Sequence, residues 1–182
     1  MKILLTILLF FFMACSFYSM AGSIPVHIKS VSIPLMENET SQYGLEQIVT
    51  DNILEKFNEV GILKVLDEKF ADSIIRGTIS KIDEGPYTYS KEESISEYRY
   101  KVYLKLEWYD VIKDENLISK TYSGFGSYGL SGDISSDGID NDNDGKIDDL
   151  DDDEFGEPRE FATTVAMSKI AEDILNDIMT TW

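Results

Sequence analysis

The sequence predicts an α+β fold: a two-layer sandwich with two helices packed on one face of a mostly antiparallel four-stranded sheet. Three observations predict it. Residues 98–108, YRYKVYLKLEW, alternate between an apolar and a polar face along their whole length, the period of a strand with one side buried. Residues 45–57 and 161–178 instead space their apolar side chains by threes and fours, the period of amphipathic helices. The resulting order, β-α-β-β-β-β-α, lets both helices cover one face of the sheet, with the short second strand at an edge.

Each element has its own local signal. Val31, Ile33 and Leu35 alternate with polar residues, a short strand in which Pro34 is tolerable only at an edge or end. ENETSQ, 37–42, is turn material, and Ser41 or Thr40 is placed to cap the first helix. Leu45, Ile48, Val49, Ile53 and Phe57 mark one face of that helix, which Gly61 stops. Ile62–Leu66 reads as a short strand and Ser73–Ile82 as another, rich in β-branched residues. In the long strand, Tyr98, Tyr100, Val102, Leu104, Leu106 and Trp108 face one way, and Arg99, Lys101, Tyr103, Lys105 and Glu107 the other. DVIKDEN turns the chain into a weaker strand over Leu117–Phe125. Phe161, Val165, Ser168, Ala171, Ile174 and Ile178 trace the last helix.

Ahead of these elements lies MKILLTILLFFFMAC. One lysine precedes an apolar run from Ile3 to Ala14, too short for a final membrane span but the length of a signal-peptide core. It ends at Cys15, the only cysteine, which has no intramolecular disulfide partner. Next to the small Ala14, Cys15 reads as the lipidated residue of a lipobox, although Phe12 stands where leucine is usual. An acylated Cys15 ties the chain to a membrane, each buried CH₂ contributing about 0.8 kcal/mol. Ser16 then favours the outer membrane, with the protein on its periplasmic face. The expected organisation is a signal peptide at 1–14, a lipidated tether at 15–28 and one domain at 29–182, interrupted by an Asp-rich insert at 131–158.

Charge is uneven. Between Asp133 and Glu160 thirteen acids meet two bases, which accounts for most of the net charge of −18. With no basic patch, nucleic acid is excluded as a partner. Catalysis finds little support. The one histidine, His27, reads as a surface or strand-edge residue, and there is no nucleophile elbow, Gly-rich phosphate loop or zinc spacing. The chain is expected to be no enzyme and to require no cofactor. Tyr87, Tyr89, Tyr98 and Tyr100 offer an aromatic surface.

The acidic insert has a sharper pattern. From Asp140 it runs D-x-D-x-D-G-x-I-D-x-x-D, the spacing of a calcium loop with ligands at positions 1, 3, 5, 7, 9 and 12 and a glycine at 6. Those positions are Asp140, Asp142, Asp144, the Lys146 carbonyl, Asp148 and Asp151, with Gly145 at the turn and Ile147 as an apolar peg. Hard oxygen ligands suit Ca²⁺. Position 12 is Asp where Glu is usual, and no amphipathic helix precedes the loop, so it resembles the helix-free loops of extracellular calcium repeats. The expected role is to order the insert, with dissociation constants on the order of 10⁻⁴–10⁻³ M.

Five stretches together resemble the LPS-assembly lipoprotein LptE family: Cys15 with FYSMAGSIPVHIKSVSIP downstream of it; ENETSQYGLEQIVTD; ADSIIRGTISKI; GPYTYS with EYRYKVYLKLEWYD; and SKIAEDILNDIM before the terminal tryptophan. The most specific runs are N-x-T-x-x-Y-G-L-E-x-x-x-T (Asn38, Thr40, Tyr43, Gly44, Leu45, Glu46, Thr50) and A-D-x-x-x-R-G-T-I (Ala71–Ile79). The resemblance implies an outer-membrane lipoprotein that plugs the large β-barrel LptD, assists its assembly and contacts lipopolysaccharide. Basic residues would meet the lipopolysaccharide phosphates, and Arg99, Lys101 and Lys105 are the candidates here. The Asp-rich insert is no feature of that family and reads as an addition to it. Two other classes fit the β-α-β-β build: an accessory lipoprotein of CsgG or LpoB type, serving secretion or cell-wall synthesis, and a calcium-binding module.

Overall fold

A computed structural model describes residues 24–91, 93–129, 138, 140, 145–147 and 157–180. Among the described residues six strands and two helices form in the order β1 (Ser30–Ser32), β2 (Glu37–Asn38), α1 (Leu45–Val60), β3 (Lys64–Val65), β4 (Ser73–Tyr89), β5 (Ile95–Asp110), β6 (Glu115–Gly129) and α2 (Pro158–Thr180). The α+β class holds, but the sheet is mixed rather than mostly antiparallel and four-stranded. Its order is β3-β1-β4-β5-β6, with β2 also paired to β4. β4, β5 and β6 are antiparallel, whereas β1 runs parallel to both β3 and β4, and β2 runs parallel to β4. The reason is topological. A strand followed by a crossover helix returns to the same end of the sheet, so α1 makes β3 parallel to β1.

The long alternating strand forms as expected and is longer. Tyr100, Val102, Leu104, Leu106 and Trp108 are all buried under the helices, and β4 and β6 outrun their expected ends. β4 continues through Gly85 and Pro86 to Tyr89, with a register shift between Pro86 and Thr88 where the ladder loses the proline donor. At 16 residues, β5 is about 50 Å long, so the β4–β5 hairpin is a rod rather than a compact corner. β1 ends before Pro34, which leaves Leu35 exposed instead of in strand.

α1 buries Leu45, Val49, Thr50, Ile53 and Phe57. Ile48 lies outside this stripe and Thr50 within it, because Thr50 Oγ1 accepts the Met36 N–H at 3.0 Å and donates to the Glu46 carbonyl. Neither Ser41 nor Thr40 is the N-cap. Gly44 holds that place with φ 87° and no side-chain cap, since the Thr40 hydroxyl is spent on Asn38 Oδ1 at 2.7 Å. At the other end Gly61, φ 64°, donates its N–H to the Phe57 carbonyl at 3.0 Å, the left-handed stop its position suggested.

α2 turns Ala162, Ala166 and Ile170 toward the sheet, and Phe161 and Ser168 are only half-buried. Two β6 glycines set this rotation. A Cβ on Gly124 would lie 2.0 Å from the Ala166 carbonyl oxygen, and one on Gly126 would lie 2.4 Å from that of Ala162. Small residues on both elements let helix and strand backbones touch, and the apolar stripe is placed by that contact.

The segment before β1 is pinned to the same end of the sheet. His27 Nε2 lies 2.5 Å from Asp110 Oδ2, so His27 is no surface residue but a half-buried one. The Asp110 side chain is fully buried, and its other oxygen accepts the N–H groups of Ile112 and Lys113 at 2.9 and 3.1 Å. Burial pushes this carboxyl up, but the His27 hydrogen bond and those two N–H groups outweigh it and hold it below the usual carboxylate range. Asp72 does the same for β1, accepting from Lys29 N–H, Ser30 N–H and Ser30 Oγ. Cys15 lies outside the described residues. No helix among the described residues is long and apolar enough to cross a membrane.

Candidate functional site

The face of the sheet turned away from the helices is the open surface of the fold. Arg99, Lys101, Tyr103 and Lys105 of β5 stand opposite Gly85, Asp83, Lys81 and Thr78 of β4, and opposite Ser127, Phe125, Ser123 and Thr121 of β6. Directly paired residues share a face, so three strands contribute one polar surface with aromatic rings set into it.

Its cations are not equivalent. The Arg99 guanidinium lies over the Tyr87 ring at 5.3 Å and the Phe125 ring at 6.0 Å, and those two rings are 6.1 Å apart. Lys101 Nζ lies 5.0 Å from the Tyr103 ring. Lys81 approaches the same ring at 5.6 Å but is paired with Asp83 at 2.6 Å, which raises the lysine and lowers the carboxyl. Lys105 pairs with Glu39 at 3.8 Å and Arg76 with Glu68 at 2.5 Å. Among the described residues no carboxylate lies within ion-pair distance of Arg99 or Lys101, although Asp83, opposite Lys101 in the ladder, feels its charge as well as that of Lys81. Two strand positions apart, Arg99 and Lys101 are separated by about 7 Å, each braced on an aromatic ring. That arrangement suits an anion carried on an apolar or sugar-like body, the charge meeting the cations and the body meeting the rings.

The structure thus brings Arg99, Lys101 and Lys105 onto one face, with Lys105 partly neutralised. Tyr103 shares that face by the alternation of its own strand, whereas Tyr87, Phe125 and Lys81 complete the surface and were not legible as its members, because their placement depends on the register of three strands. The tyrosines do not form one surface. Tyr87 and Tyr89 are exposed, Tyr100 is fully buried, and Tyr98 stacks on Tyr128 with centroids 5.8 Å apart.

On the helix side, the residues of the most specific run build a loop. Asn38 Nδ2 donates to the Gln42 carbonyl at 2.7 Å and to Glu46 Oε2 at 2.9 Å, while its Oδ1 accepts the Thr40 N–H at 2.9 Å. Gln42 Oε1 then accepts from Tyr100 Oη at 2.8 Å and from Arg159 at 3.0 Å. Arg159 also grips both oxygens of Glu84, at 2.8 and 3.0 Å, and Tyr128 Oη donates to the same carboxylate. The Arg159 bonds hold Glu84 below its usual range against burial, and burial together with Glu84 pushes the Tyr128 hydroxyl up to about 12. Asn38, Thr40, Gly44, Leu45, Glu46 and Thr50 all serve structure here. Tyr43 does not: it is 94% exposed.

Of the calcium-loop positions, Asp140, Gly145, Lys146 and Ile147 are described, and Asp142, Asp144, Asp148 and Asp151 lie outside the described residues. Gly145 has φ 99° and donates its N–H to Asp140 Oδ2 at 3.0 Å. The sharp turn therefore falls on the glycine that the spacing marks, and it folds position 6 back onto position 1. Ile147 is exposed rather than packed as a peg. Among the described residues no group of three or more metal-ligating side chains comes together.

A family model described as LptE, lipopolysaccharide-assembly, matches residues 28–180. No curated protein matches the chain. Among solved structures, the fold is similar to that of a lipoprotein B from Nitrosomonas europaea, at 11% identity over 87% of this chain and 85% of that one, with a TM-score of 0.52. The PelC dodecamer from Paraburkholderia phytofirmans (15% identity, 87% of this chain and 93% of that one, TM-score 0.47) and a minor lipoprotein from Acinetobacter baumannii (11%, 86% and 95%, 0.47) are more distant in shape. At these identities the likeness concerns the fold alone.

Proposed function

The chain belongs to the LptE lipopolysaccharide-assembly family, and from that premise we propose that it is a lipid-anchored, non-catalytic subunit of an outer-membrane lipopolysaccharide translocon. Its role is binding. It plugs and helps to assemble an LptD-like β-barrel from the periplasmic side, tethered through Cys15, and it meets lipopolysaccharide on the open face of its sheet.

The observation that carries this reading is the pair Arg99 and Lys101, cations braced on Tyr87, Phe125 and Tyr103 with no carboxylate within ion-pair distance among the described residues. A phosphorylated glycolipid presents anions on sugars above acyl chains, which matches cations among rings. The shape agrees with the other half of the proposal. A hairpin about 50 Å long, cross-braced by α2, is long enough to occupy a barrel lumen, and a wide barrel needs its lumen filled or controlled.

The Asp-rich insert is assigned a structural Ca²⁺ held by Asp140, Asp142, Asp144, the Lys146 carbonyl, Asp148 and Asp151. The turn at Gly145 supports this assignment. The ion would offset the repulsion among the carboxylates and order the insert.

The test is gentle solubilisation of outer membranes, then capture of the tagged, acylated protein and identification of what accompanies it. A stoichiometric large β-barrel supports the proposal. Correct localisation without a barrel sinks it, and a cell-wall synthase or a self-assembled ring in its place would point to an accessory lipoprotein of another kind.

A further inference from the structure

Three segments meet at the end of the sheet from which the tether leaves: residues 24–30, the loop 67–72 and the turn 110–115. Their junctions are specific. His27 binds Asp110, Asp72 accepts from Lys29 and Ser30, and the Val111 N–H donates to the Asp72 carbonyl at 3.0 Å. Each segment nonetheless presents large apolar side chains to solvent. Val26 is 90% exposed, Phe70 72%, Ile112 60% and Val111 43%. A domain with a well-filled core has no folding reason to gather four such side chains at one end.

The length of the tether says what covers them. Nine peptide steps separate Cys15 from Ile24, a reach of at most about 30 Å. If Cys15 carries the lipid, the end of the fold that bears this patch cannot leave the bilayer surface by more than that. Exposed lysines (Lys29, Lys69, Lys113) and exposed carboxylates (Asp67, Glu68, Asp114, Glu115) lie in the same segments, so the contact is driven by the apolar side chains settling at a headgroup boundary and not by charge.

We infer that Val26, Phe70, Val111 and Ile112 form a second membrane contact, seated in the headgroup region of the leaflet that holds the acyl chains. The lipid then fixes the distance of the domain from the membrane, and this patch fixes its orientation. The β4–β5 hairpin runs from Asp110 at the seated end to Tyr89 at the far end, so the rod is held along the membrane normal, the direction of a barrel lumen, instead of lying flat on the bilayer. This inference rests on the acylation of Cys15 in the proposed function.

The test uses full-length acylated protein in phosphatidylethanolamine–phosphatidylglycerol vesicles with brominated acyl chains. Tryptophan reporters are placed by Phe70→Trp and, at the far end, by Tyr89→Trp, each corrected for the parent's own tryptophans. Quenching at least about threefold stronger at position 70 than at position 89 is expected for side chains seated at the interface. Adding Val26→Ser and Ile112→Ser to Phe70→Trp should reduce the quenching while flotation with the vesicles persists. Flotation with no quenching at position 70 overturns the inference and leaves the anchor standing, and the patch then belongs to a protein partner. Failure to float, with Cys15 unmodified by mass, overturns both.

Discussion

His27 and Asp110, 83 residues apart, are joined by a hydrogen bond that closes the segment before β1 onto the end of β5. The carboxylate is the buried partner and the imidazole the half-exposed one, so the pair is asymmetric. Removing the ring strands a buried charge, whereas replacing the carboxylate leaves the ring free to turn to water. His27→Ala is expected to cost about 1–3 kcal/mol, read as a lower urea midpoint. A midpoint within error of the parent would show that water replaces the ring without loss.

Acid should loosen the same junction. Asp110 is held below its usual range in the folded protein, so the unfolded chain takes up its proton first as pH falls. Its contribution is full above the ordinary aspartate value near pH 4 and is lost as pH falls through the lower folded value. Glu84, held down by Arg159, acts in the same direction. Urea midpoints measured from pH 6 to pH 3 should therefore fall less steeply in Asp110→Asn than in the parent. Parallel curves would remove Asp110 from the explanation.

Gly124 is the position most sensitive to one added carbon. Its Cβ would overlap the Ala166 carbonyl, and a backbone cannot turn aside as a side chain can. Gly124→Ala should cost about 3 kcal/mol and move α2 off β6. Gly85→Ala, where nothing lies within 4 Å of the new atom, should stay within about 0.5 kcal/mol of the parent. Thermal melts of the two variants decide the matter, and equal melting points would mean that α2 shifts without penalty.

On the open face, Lys105 already has Glu39, while Arg99 and Lys101 have no carboxylate within ion-pair distance among the described residues and Asp83, opposite Lys101, is bonded to Lys81. Arg99→Ala and Lys101→Ala should each weaken lipopolysaccharide binding about three- to tenfold, roughly 1 kcal/mol, with Lys105→Ala costing less than about twofold. Titration against fluorescent lipopolysaccharide at fixed ionic strength gives the ranking. Equal losses for all three would reduce the site to diffuse charge.

Calcium binding should be weak and confined to the insert. Calorimetric titration of the chelator-treated protein is expected to show one site with Kd on the order of 10⁻⁴–10⁻³ M, abolished by Asp140→Asn with Asp142→Asn. A flat titration through the millimolar range would return the stretch to a solvated acidic loop.

The parts of this fold that were legible in the sequence are those whose signal is local. β5 announces itself because every second residue from Tyr100 to Trp108 is buried, and Gly61 because a helix stop needs only its own backbone. What escaped depends on partners far along the chain. β2 is two residues long and exists because Glu37 and Asn38 lie beside Thr78 and Ile79. His27 looked like a surface or strand-edge residue because Asp110 is 83 positions away. The rotation of α2 is set by two glycines on another element. In the candidate site the same division holds: alternation put Arg99, Lys101 and Lys105 on one face, and only register shows which of them already has a counter-charge.

The contact of Gly126 with Ala162 makes the insert between them a closed excursion. Its two ends are held together by the body of the fold. Chain of any length or composition can be spliced there at a loop-closure cost that rises only logarithmically, about 0.6 kcal/mol per doubling. The Asp-rich segment is in that sense a cassette: replacing 131–156 by a short glycine–serine bridge should leave the melting temperature nearly unchanged, and a clear drop would show that the segment itself supports the fold.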